Sequence, residues 1–225
     1  MTATFLILLV FIATATLLLL CAAWATARNS PGFAAVISGK GHLSVLNTKH
    51  LAGIVVFLVS YACYKAAPEA DIRIFEYAWN SKWSLISIII TFIAVVAGFT
   101  SAGREKKIIP GHCFSVFSLL TYFLIRTFFL LLYEFFFRGV FLFFLIDHTD
   151  TGTAVGINIA VYTLVHCYSS RNEIIGTFPF GLLLCTVTLL QHTVWPAVII
   201  HLALSMSYEI RLLYIKQLPV KTWRL

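Results

Sequence analysis

Glu134 and Arg138 stand four residues apart in Tyr133-Glu134-Phe135-Phe136-Phe137-Arg138-Gly139, and the chain around them is almost free of charge. Between Phe114 and Ile146 the one other ionised side chain is Arg126. A charge at membrane depth costs about 3 kcal/mol or more, so an intramembrane ionisable residue is a functional-site candidate by default. On a helix the i,i+4 spacing puts Glu134 and Arg138 on one face, where they can pair. A pair that only locks two helices together is the competing reading. Two histidines weigh against it. His166 closes the apolar run Val161-Tyr162-Thr163-Leu164-Val165, and His201 lies inside another, with Ser205 one turn further along the same face. Three separate segments thus each offer a side chain fit for chemistry. A carboxylate in apolar surroundings has a raised pKa and can act as a general base near neutral pH. One histidine can steer the water, and a second with a hydroxyl can stabilise an oxyanion. Two histidines and a glutamate are equally a ligand set for catalytic zinc. Spacing alone leaves both chemistries open.

The elements that must position these groups are membrane spans. Of 225 residues, 60% are hydrophobic and 11% charged. Runs long enough to cross a bilayer recur at about 4–24, 51–67, 83–102, 114–146, 152–168, 174–190 and 195–215. The expected fold is therefore all-α, a polytopic transmembrane bundle of about seven spans. No Gly, Pro or Asn occurs between Phe114 and Arg138 to make a turn, so the fourth run reads as one long helix of about 50 Å. Residues 1–112 are read as N-terminal transmembrane helices, 113–215 as the core carrying the site, and 216–225 as a basic tail.

The net charge of +7 comes from Lys and Arg between apolar runs, where they set topology and meet anionic headgroups rather than nucleic acid. Their asymmetry puts the C-terminus in the cytoplasm and the N-terminus outside. The first run has no preceding positive charge and is long for a signal peptide, so it reads as a retained helix. The five cysteines, Cys21, Cys63, Cys113, Cys167 and Cys185, form no CxxC pair and read as small core residues.

Four motifs occur in order: Glu134-Phe-Phe-Phe-Arg138-Gly139, Tyr162-x-x-x-His166, Glu173-Ile-Ile-Gly176-Thr-Phe-Pro-Phe-Gly181 and Trp195-Pro196-x-x-x-x-His201-x-x-x-Ser205. Together, over about Leu119 to Tyr208, they resemble the CPBP family of CAAX-type intramembrane proteases and bacteriocin-processing proteins, formerly called abortive-infection proteins. The resemblance implies an intramembrane endopeptidase that hydrolyses a peptide bond of a membrane-associated peptide or protein with Glu/His-activated water. It also implies no metal and no other cofactor. Carried over, Glu134 and His166 handle the water, His201 and Ser205 face the oxyanion, and Arg138 holds the glutamate. The family's first glutamate is Tyr133 here, and its asparagine after the last histidine is Ser205. These departures leave the alternative of a degenerate relative acting as a membrane binding, immunity or scaffold protein. A proton-relay transporter is a further rival, without the internal repeats that such folds carry. The expected location is a multi-pass place in a membrane, read as a prokaryotic inner membrane.

Other polar residues receive plainer readings. Glu173 is a supporting residue at most, an acid at a helix N-terminus with Asn172 before it. Asp147-His148-Thr149-Asp150 reads as a polar turn capping span five. His42, His50, His112 and His192 read as segment-end residues. One conflict stands. The span limits place His166 near the cytoplasmic end of its helix and His201 about 9 Å from the outer end of its own.

Overall fold

The computed structural model describes residues 3–66, 81–103 and 114–217, and all the regular structure in them is helical. The helices are α1 (Ala3–Ala27), α2 (Phe33–Ile37), α3 (Leu43–Lys65), α4 (Ser81–Gly103), α5 (Val116–Glu134), α6 (Leu142–His148), α7 (Thr151–Leu164), α8 (Arg171–Gln191) and α9 (Trp195–Gln217). A π-helical segment, Phe135–Phe141, joins α5 to α6 without a break. Among the described residues six helices are long and apolar enough to cross a membrane, and α7 is a shorter apolar helix. The fourth apolar run is indeed one continuous rod, Val116–His148, of 33 residues. His112, Cys113 and the cationic stretches 104–107 and 218–225 lie outside the described residues.

Local signals start the helices that matter. The Ser115 hydroxyl accepts from the Ser118 N–H at 3.1 Å and caps α5. Asp150 accepts from the Thr153 N–H at 3.0 Å and caps α7, as the polar turn predicts. The Thr153 hydroxyl and amide also hold the Asp150 carboxyl below its usual range. Ser170 caps α8, accepting from the Glu173 N–H at 3.3 Å. Ser170 and Glu173 thus have the spacing of a capping box. At its far end His192 takes a left-handed backbone (φ 51°) and turns the chain into α9.

The rod α5–π–α6 is the spine. Phe11 of α1 packs edge-on against Phe136, Phe141 and Phe144, with ring centroids 5.7, 5.0 and 5.0 Å away. Phe57 of α3 meets Tyr133 at 5.7 Å and Phe136 at 5.4 Å. On the other side α4 lies along α9. A Cβ on Gly98 would come 2.6 Å from the Leu204 carbonyl oxygen, so only glycine allows that approach. The outward faces are greasy, with Phe92, Phe117 and Leu124 among many exposed apolar side chains. In a bilayer those faces meet lipid.

Two expectations need correction. Span two begins at Leu43, eight residues earlier than its hydropathy shows, so His50 lies buried inside a helix rather than at a segment end. The cysteines are not uniformly core residues. Cys185 is buried, but Cys63 and Cys167 are exposed.

Candidate active site

Glu134 and Arg138 are both fully buried, and the Glu134 Oε2 to Arg138 Nε distance is 3.6 Å across one turn. The turn that joins them is already π-helical, a geometry that recurs at functional sites. Glu134 has a second partner. His201 of α9 places Nδ1 2.5 Å from Glu134 Oε1, which ties the spine to the last helix. His201 is 8% exposed while Glu134 is 0% exposed, so the imidazole is the open edge of the pair.

Arg138 is held by more than the carboxylate. Its Nη1 donates to Asn158 Oδ1 at 3.2 Å, and Asn158 Nδ2 donates to the Phe137 carbonyl at 2.7 Å. The guanidinium carbon sits 4.4 Å from the centroid of the Tyr162 ring, a desolvated cation–π contact. Gly181 lets α8 close over this arrangement: a Cβ there would stand 3.2 Å from Tyr162 Cδ1 and 3.6 Å from Arg138 Nη2. Asn158→Ala should destabilise the protein by about 1–3 kcal/mol, the cost of leaving a buried charged donor unmet. The melting temperature of the variant in detergent checks this, and an unchanged value would deny Asn158 its place in the support.

The histidines that the span limits keep apart do flank a common residue. The Tyr133 ring lies 6.1 Å from His166 and 6.0 Å from His201, measured between centroids. The conflict in depth eases because α7 has only 14 residues, about 21 Å of rise against a hydrocarbon core of about 30 Å. His166 follows directly on its last turn. His166 Nδ1 is engaged by the Tyr162 carbonyl at 2.8 Å. Both imidazoles therefore use Nδ1 internally, which leaves each Nε2 for other work. The Tyr133 hydroxyl is buried and has no hydrogen-bond partner among the described residues. Ser205 is half-buried one turn after His201. Glu173 is exposed at the start of α8 and stands outside this group.

Residues 115–207 match the family model for Rce1-like proteins, type II CAAX prenyl endopeptidases. Over that stretch the chain is similar to the Rce1-like family. No curated protein and no solved structure matches it. The match spans the elements that carry the group around Glu134: the end of α5, the π segment, α7, α8 and α9 through Ser205. Helices α1, α3 and α4, outside the match, supply packing for it.

A second buried polar group, which the sequence reading missed, joins α3, α5 and α9. Arg126 Nε of α5 meets Glu209 Oε1 of α9 at 3.2 Å, and its Nη1 is 3.3 Å from His50 Nε2 of α3. The buried Tyr122 ring packs beside the same group, its centroid 6.0 Å from that of His50. A second arginine in span four, beyond the one paired with Glu134, and the one acidic residue in span seven were the signal for that pair. Asn158, an amide inside an apolar helix, was likewise readable as a polar anchor. Among the described residues no three His, Cys, Asp or Glu side chains converge as a metal site.

Proposed function

We propose that this integral multi-pass membrane protein is an endopeptidase that cleaves a membrane-associated substrate of the CAAX-processing or bacteriocin-processing type. The observation that carries the reading is the buried Glu134–His201 pair at 2.5 Å, supported from behind by Arg138. With the His201 Nδ1–H donating to Glu134, Nε2 presents its lone pair to water. The carboxylate fixes that tautomer and stabilises the imidazolium formed when the water gives up its proton. This shifts the work from the sequence expectation: Glu134 orients and His201 takes the proton. His166, across Tyr133, steers the water or the leaving amine. The hydroxide oxygen bonds to the scissile carbonyl carbon, and the tetrahedral intermediate collapses by expelling the amine, which takes the proton from His201. No metal enters these steps. The C-terminus is cytoplasmic in this reading, and the membrane is a prokaryotic inner membrane.

The test is digestion of a membrane-peptide library by purified protein in nanodiscs, beside Glu134→Ala. Cleavage by wild type alone, unaffected by chelators, is the expected result. Zinc bound in stoichiometric amount, with activity lost to chelators and restored by zinc, would overturn the metal-free mechanism. A second reading, a relative that only binds its peptide, is favoured by the bulk of Tyr133 between the two imidazoles. Peptide capture without cleavage by wild type would establish it.

A further inference from the structure

Tyr133 is the residue that the mechanism above does not yet use. It is 5% exposed, and its ring is held on several sides: by Phe137 at 4.6 Å, by Phe57 and Tyr162 at 5.7 Å each, and by Phe129 at 5.8 Å. Packing therefore explains the ring but not the hydroxyl, which makes no hydrogen bond among the described residues. A phenylalanine would fill the same space without burying an unmet donor, an arrangement that costs stability. Buried polar groups left unmet in a folded protein call for a functional account. This one belongs to the residue immediately before Glu134, flanked by both histidines at nearly equal distance.

We propose that the Tyr133 hydroxyl is the hydrogen-bond donor to the scissile carbonyl oxygen of the peptide substrate. The inference rests on the endopeptidase reading and adds to it the group that meets the developing oxyanion. As the water oxygen attacks the carbonyl carbon, the π electron pair moves onto the carbonyl oxygen. Tyr133 donates a hydrogen bond to that oxygen and keeps its own proton, while the water's proton goes to His201 Nε2. A phenol is a stronger donor than the alkyl hydroxyl of Ser205. The ring's fixed packing also means that little reorganisation is needed when charge appears. Tyr133 thereby becomes a catalytic residue rather than a neutral replacement, and Ser205 a secondary donor.

The experiment is Tyr133→Phe, which keeps the ring and removes one oxygen. Cleavage of a membrane-bound peptide should fall about 100-fold, the effect of losing one oxyanion donor, in kcat with KM little changed. The melting temperature should stay level or rise, because no hydrogen bond within the protein is lost. Ser205→Ala should cost less than Tyr133→Phe. Full activity in Tyr133→Phe would overturn the proposal and leave the endopeptidase reading intact. A fall in melting temperature together with a rise in KM would make the hydroxyl structural and also overturn it. If wild type cleaves nothing, hydrolysis fails as a reading, and the affinity of a peptide aldehyde for the two proteins decides. Binding about tenfold weaker to Tyr133→Phe supports the donor, on the scale of one lost hydrogen bond. Equal binding refutes it.

Discussion

Glu134→Gln should lower cleavage about 1,000- to 10,000-fold. The amide is nearly isosteric, but it carries no charge to stabilise an imidazolium and can present its N–H₂ to His201 in place of an acceptor. Loss of the charged partner behind a catalytic histidine has this scale of effect. The structure adds a second consequence. Arg138 is wholly buried, and in the variant its guanidinium loses the one carboxylate within ion-pair distance among the described residues. The variant should therefore also melt earlier. Activity must be compared at a temperature where circular dichroism shows both proteins folded. Activity near the wild-type level under those conditions would remove Glu134 from the chemistry.

Arg138→Met should be the most destabilising single change in the site, by about 3–5 kcal/mol, because it leaves Glu134 buried without its cation. It also removes the bond to Asn158 Oδ1 and the cation–π contact with Tyr162. The double variant Glu134→Gln/Arg138→Met should recover part of that loss, since an apolar or neutral replacement of a buried ion pair is often tolerated. It should nonetheless remain inactive. Thermal melts of the four proteins form a mutant cycle. Additive effects would show that the pair is not energetically coupled, contrary to the 3.6 Å geometry.

What could be read in advance depended on contrast. Glu134, Arg138, His166 and His201 stand out because polar atoms are conspicuous in apolar runs, and the motif order carried their grouping. Tyr133 does not stand out, since a tyrosine among phenylalanines looks like core filling until its hydroxyl is found unmet. The position of His50 was hidden by Asn47, Thr48 and Lys49, which lower the local hydropathy enough to mimic a loop. Its burial depends on Arg126, 76 residues away. The pairing of Glu134 with His201 rather than with His166 is a matter of helix placement, and spacing within one segment carries no information about it. The π-helical turn left no mark, because most residues of 128–134 and of 135–146 are interchangeable large apolar side chains.

That turn sets a phase. A regular helix advances 100° per residue, so the faces of a straight rod are fixed by counting. The wide turn at Phe135–Phe141 holds one residue more than a regular turn would, and the surface that follows is rotated relative to the surface before it. Upstream, Tyr133 and Glu134 address α3 and α9. Downstream, Phe141 and Phe144 address Phe11 of α1. Losing a single codon after Arg138 would preserve the ion pair yet turn α6 away from α1. Gaining one would do the same in the opposite sense. Length variation in relatives of this protein should accordingly collect in the connections between helices and spare this stretch, where the residue count is itself the structural information.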